Sequence, residues 1–325
     1  MRAWSCLTVL SCGVLCAQSA TVIRRATSEG EIRGAAISRE GQIFTWGDRL
    51  QLWALPNLKP RSLANGAFGE GGCLVDLDGD GAQELVSKEG SGLGQLTWRK
   101  PPDWKPVVID DGFETHDCME ATLFGRKGIL VIQRYMQVRF YERAEEKRWP
   151  YREIYSIYTP SRQTGLSMRD VDGDGRADIL CGNYWIKSPE AFELPWHIFA
   201  INTYSETPQS AMLAHAVVAS NLLVGQGHMY DARVTLFTKP EDPRQLWNAL
   251  PVEGTYHRVH AVTAWNGILL FGENDGASSR IFAVMNGKAV KIADGIDSLQ
   301  ILPGKDGLVS VGPRELVLWR YDRRK

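Results

Sequence analysis

The sequence predicts an all-β fold: a seven-bladed β-propeller forming a single domain over residues 21–325, closed by pairing an N-terminal strand with the last blade. Three observations carry this. A short motif ending in an aromatic recurs seven times at a period of roughly 40–50 residues, the length of a propeller blade. Each unit divides into four segments of alternating polarity, as half-buried strands do. The final unit stops after three such segments, while an unused one lies near the N-terminus.

The repeated motif is an apolar alternation reaching an aromatic, commonly with a basic residue or proline close behind. It ends at Trp53, Trp98, Tyr141, Trp185, Phe237, Phe282 (weakly) and Trp319. In the fourth unit the strand segments read "GLSMRDV", "ADILCG", "NYWIKSP" and "WHIFAIN"; in the sixth they read "HAVTAW", "GILLFGE", "RIFAVM" and "KAVKIA". No convincing amphipathic helix interrupts them, and Gly 32 and Pro 15 supply turn punctuation. The period places the aromatics in third strands, as packing between blades rather than as sugar-stacking platforms. Closure predicts that Val22 to Arg25 pairs with Val317 to Arg320, which leaves no exposed sheet edge at the ring's seam.

Ahead of that strand, "MRAWSCLTVLSCGVLCAQSA" has one arginine, an apolar run and small residues near Ala17 and Ala20. This is the layout of a secretory signal over residues 1–20, too short for a membrane span. The expectation is a secreted or periplasmic protein; a lipoprotein-like box at Cys12 is a poor match. Three cysteines leave with the signal. Cys73, Cys118 and Cys181 remain, which excludes a disulfide-dense scaffold and leaves Cys73 with Cys118 as the pair to test. Lys+Arg 37 against Asp+Glu 38 gives a net charge of −1, which argues against nucleic acid or an anionic membrane as partner.

Two stretches stand out: "DLDGDGAQELV" from Asp76 and "DVDGDGRADIL" from Asp170. Asp76, Asp78, Asp80 and Glu84 hold positions one, three, five and nine of a loop, and so do Asp170, Asp172, Asp174 and Asp178. Alternate carboxylates turned inward give a hard cation its oxygen shell, and the position-seven carbonyl can add another ligand. Gly81 and Gly175 permit the sharp turn. Position twelve holds Ser87 and Cys181, not the glutamate of an EF-hand.

These stretches resemble the calcium hairpins of the FG-GAP or VCBS repeat family, the propellers of integrin α-chains and many secreted bacterial proteins. The resemblance implies that each loop joins the first and second strands of a blade and binds calcium. Only two blades carry the acidic loop; blades three, five and six offer "LFGRKG", "ASNL" and "AWNG", without ligands, so two structural calcium ions is the ceiling.

On the opposite face, three first strands begin near a histidine: His116, His215 and His260. The turns between second and third strands add Arg134, Tyr184, His228 and Glu273. Polar groups converging in a concavity mark a binding site, here for a carbohydrate or protein ligand at the channel mouth. Three imidazoles can also hold a transition metal with an open position, with Glu120 or Glu273 moving protons. Some secreted propellers of this broad resemblance are carbohydrate-active lyases or dehydratases that use a metal and His or Tyr, so the resemblance implies that reading as the alternative. His197 is expected to pack and His257 to lie in a loop. The sequence leads first to a calcium-bearing binding module, with no hydrolase elbow, zinc-protease helix or phosphate loop.

Overall fold

The computed structural model describes residues 19–112, 114–145, 148–202, 212–305 and 307–321. Most of the signal-like segment lies outside the described residues. Strands gather into seven sheets, and the only helical element among the described residues is a single 3-10 turn at Gly276–Ser278. No helix among them is long and apolar enough to cross a membrane.

Blades one to six each contribute four antiparallel strands in chain order. Blade two, for example, runs Phe68–Val75, Glu84–Glu89, Gln95–Arg99 and Pro106–Asp111. Blade three runs Thr115–Leu123, Arg126–Gln133, Met136–Glu142 and Tyr151–Ile157. Blade five has an addition that the repeat does not announce. Arg162–Gln163 pairs in parallel with the start of its first strand, Met212–Val218.

Blade seven has three late strands, Gln300–Gly304, Gly307–Val311 and Glu315–Tyr321, and receives Ala20–Thr27 as its fourth. The register is Val22 opposite Trp319 and Arg25 opposite Val317, with a bulge between Val22 and Arg24. The predicted closure is therefore present. Arg25 reinforces it through an ion pair with Glu315 at 3.1 Å.

All seven motif aromatics are buried. Their places in third strands direct them between neighbouring sheets, where each large ring fills space that smaller side chains leave open. Their polar atoms are satisfied locally: Trp53 Nε1 donates to Thr45 Oγ1 at 2.8 Å, and Trp319 Nε1 to Ser310 Oγ at 3.0 Å. Tyr141 Oη donates to Asp110 Oδ2 at 2.6 Å. They are core, not sugar platforms.

Cys73 and Cys118 are joined by a disulfide between the first strands of blades two and three, with Cα atoms 5.5 Å apart. Cys181 is free and buried.

Candidate functional site

Both acidic loops fall where the resemblance implies. Residues 76–83 join the first and second strands of blade two, and residues 170–177 join Ser167–Arg169 to Asp178–Cys181 in blade four. Gly81 and Gly175 have φ of 86° and 85°, the left-handed region that a Cβ disfavours. The turn brings carboxylate oxygens of Asp76, Asp78 and Asp80 within 4.8 Å of one another, and does the same for Asp170, Asp172 and Asp174.

Position nine lies at the base of each loop. Glu84 and Asp178 are fully buried beneath their loops. Glu84 Oε2 accepts from Leu77 N at 3.1 Å and Trp98 Nε1 at 2.8 Å. Asp178 accepts from Val171 N at 3.0 Å and Ser188 N at 2.8 Å, one on each oxygen. These carboxylates close the base of the loop. Burial raises both, Asp178 to about 6.

Asp178 thus accepts one backbone N–H on each oxygen, and Asp170 likewise accepts Gly173 N and Asp174 N on Oδ1 and Gly175 N on Oδ2. Glu84 keeps Oε1 buried without a partner, as Asp76 keeps Oδ1. A buried carboxylate oxygen left unpaired is costly, and a bound cation removes that cost. The donor set of blade two fits calcium on this ground. That of blade four repeats the spacing through Asp170, Asp172, Asp174 and Asp178 with the position-seven carbonyl.

The opposite face collects the turns between second and third strands and the links between blades. His116, His215 and His260 line one cavity of about 320 Å³ along the central channel, together with Glu70, Asp117 and Gln300. Burial pushes all three imidazoles down to about 4, so they are neutral near pH 7. His215 Nε2 lies 3.0 Å from Ser167 Oγ, and His260 Nε2 accepts from His228 N at 3.2 Å. His116 Nε2 and His215 Nδ1 are buried without partners.

These imidazoles converge on one space but do not share one point. Among the described residues only the two acidic triads bring three or more metal-ligating atoms within 4.8 Å of one another. The expected transition-metal centre therefore has no assembled donor set. Its proposed proton carriers lie elsewhere too. Glu120 sits by the acidic loop of blade two, accepting from Asp76 N at 2.9 Å.

Glu273 is fully buried. Its carboxylate pairs with Arg280 and accepts His257 N at 3.0 Å, so it is a structural anchor and not a mouth residue. Tyr184 is likewise buried, in the apolar core between blades three and four. Position in a turn does not fix side-chain direction, and both residues point inward. Arg134 does lie in its predicted turn, with φ of 55°. His197 is exposed on an outer strand rather than packed, and His257 lies outside the strands as expected.

Tyr135, which the sequence places beside Arg134 in the same turn, and three residues it did not single out, Glu70, Tyr158 and Tyr230, complete the mouth. Glu70, on the first strand of blade two, faces His228 at 3.6 Å. The His228 contact holds the Glu70 carboxyl below its ordinary range despite partial burial. Tyr135 and Tyr158 meet with ring centroids 4.8 Å apart and are 46% and 67% exposed. Tyr230, 60% exposed, lies under the Arg258 guanidinium at 4.5 Å.

No family model and no curated protein matches the sequence. Among solved structures, the chain is similar to the β-propeller domain of Cps50 (Swd1) from Myceliophteria thermophila, with a TM-score of 0.62 and 12% identity. The match covers 93% of this chain and 100% of that one. The likeness shows the fold: a β-propeller. With seven sheets closed through the N-terminal strand, the expected architecture is present in full.

Proposed function

We propose that this chain is a secreted or periplasmic interaction module of the FG-GAP/VCBS type, stabilised by calcium on one face and binding a carbohydrate or protein ligand on the other. The observation that carries the binding site is the mouth cavity, where two buried imidazole nitrogens, His116 Nε2 and His215 Nδ1, have no partner. Neutral imidazoles both donate and accept, so such atoms suit a ligand bearing hydroxyl or amide groups. The exposed tyrosines and Arg258 on the same face add the aromatic and guanidinium character of binding hot spots.

Secretion is supported by the Cys73–Cys118 bond, since disulfides persist chiefly in oxidising compartments. Calcium is supported by two loops with the same ligand spacing at the same place in separate blades. The position-seven carbonyls of Ala82 and Arg176 would join the aspartates. A bound ion would supply positive charge among repelling carboxylates and order the turn, so its role is structural. The lyase reading is the weaker of the two, because the three imidazoles line one cavity but do not assemble around one point.

The test is a binding screen of the purified mature chain against soluble polysaccharides and immobilised glycans, repeated with Tyr158→Ala, His215→Ala and, as a control on the other face, Asp172→Asn. A ligand lost on the first two changes and kept on the third supports the mouth. A ligand whose binding follows only Asp172→Asn would place recognition on the acidic face and overturn the proposal.

A further inference from the structure

The acidic loops contain a cation of their own. In blade two, Lys100 extends from the end of the third strand so that Nζ contacts Asp78 and lies 2.7 Å from Asp80. In blade four, Lys187 at the same place in the third strand contacts Asp172 and Asp174. Both lysines sit two residues beyond a motif tryptophan, Trp98 and Trp185. Two separate blades have thus arrived at one geometry: an ammonium bridging the carboxylates at positions three and five.

These are the oxygens a divalent ion needs. A carboxylate pair cannot bind an ammonium and a calcium ion at the same seat, because the two cations repel and compete for the same lone pairs. Yet the lysine does not complete the site in blade two. Asp76 Oδ1 and Glu84 Oε1, both on buried side chains, remain without partners beside it. An ammonium offers three donors on a short-range point charge, whereas calcium takes six to eight oxygens. Lysine therefore offsets only part of the loop's charge, with Arg39 on Asp76 at 2.8 Å offsetting more in blade two, and the coordination is filled only by a divalent ion.

We propose that Lys100 is a displaceable internal counter-cation, with Lys187 its counterpart in blade four: calcium enters by evicting the ammonium, and the lysine thereby sets the calcium concentration at which the loop fills. This rests on the calcium reading of the loops. Without calcium the ammonium holds positions three and five together, so the blade keeps its shape. With calcium the lysine swings to solvent, which both side chains already reach, being 33% and 27% exposed. The eviction is a cost charged against calcium affinity.

The experiment is calorimetric calcium titration of chelator-treated full-length mature protein, comparing the natural chain with Lys100→Met and Lys187→Met, which keep the apolar stem and remove the charge. Breaking an exposed pair with two carboxylates is expected to tighten calcium at the altered site by about three- to tenfold. A second measurement needs no variant: amine-reactive labelling followed by mass spectrometry is expected to modify Lys100 and Lys187 faster in calcium than in chelator. Calcium affinities within twofold of the natural chain in both variants, or labelling unchanged by bound calcium, would overturn the lysine proposal while leaving the calcium sites standing. No calcium binding by any of the three proteins would overturn the calcium reading itself.

Discussion

Glu70 and His228 face each other at 3.6 Å across the channel mouth, one on the first strand of blade two and the other on a turn of blade five. Blades two and five lie on opposite sides of the ring, so this contact spans the opening. It places a carboxylate and an imidazole over the cavity that His116, His215 and His260 line. Glu70→Gln removes the charge without changing the size. Because the pair is half-exposed, the cost to stability is expected to be below about 1 kcal/mol. A ligand found by the screen above should nevertheless change affinity with this substitution. Unfolding midpoints and binding isotherms on the same variant separate the two effects.

Acid should destabilise the protein through its buried histidines. Their pKa values of about 4 compare with about 6.5 for an unfolded histidine. The unfolded chain therefore binds more protons between those values. The stabilisation is complete above about pH 6.5 and is lost as the pH falls toward 4. Asp178, raised to about 6, gives the opposite slope below that pH, as do Glu84, Asp117 and Asp297, which burial also raises, so they offset part of this loss. Urea unfolding is expected to show a loss of roughly 2–4 kcal/mol between pH 7 and pH 5. A stability that stays constant over that interval would count against the burial of these rings.

The disulfide should matter more than any surface ion pair. It ties residues 45 positions apart and links two blades at the channel wall. Replacing Cys73 and Cys118 by serine is expected to cost about 2–4 kcal/mol, measured as a lower denaturant midpoint. The same loss should appear in the unaltered protein on reduction. If reduced and oxidised protein unfold together, the bond does not constrain the ring.

Glu273 provides a contrast with the mouth residues. Removing it strands the Arg280 guanidinium at a buried carboxylate site, and breaking such a pair costs about 3–5 kcal/mol. Glu273→Ala is expected to lower the melting temperature sharply. A stable Glu273→Ala protein with lost ligand binding would instead return this residue to the site.

Much of the architecture was legible because it is written periodically. Trp53, Trp98, Tyr141 and Trp185 recur at blade spacing because each blade must fill the same gap against its neighbour. The closing strand was legible because the seventh unit lacked one segment. Turn positions were legible too, but not the direction of their side chains, so Tyr184 and Glu273 were assigned to a mouth they do not reach. Glu70 was missed because nothing in "FGEGGCLV" distinguishes a channel-facing glutamate from a solvated one. The lysines left a signal: "WRK" and "WIK" follow one pattern, and the period of a strand returns the lysine to the side of its tryptophan. That signal has meaning only once the neighbouring acidic loop is known to lie alongside.

Calcium binding by the two acidic loops, holding blades two and four in shape, is the proposal on which the role of the lysines rests. Its most direct test is thermal unfolding of chelator-treated protein with and without about 1 mM calcium, alongside metal analysis of the desalted, calcium-loaded form. With dissociation constants on the order of 10 μM, each site contributes roughly 2.7 kcal/mol at that concentration. A higher melting temperature is therefore expected, with two ions per chain falling to one in Asp78→Asn or Asp172→Asn. An unchanged melting temperature with no retained calcium would contradict the account.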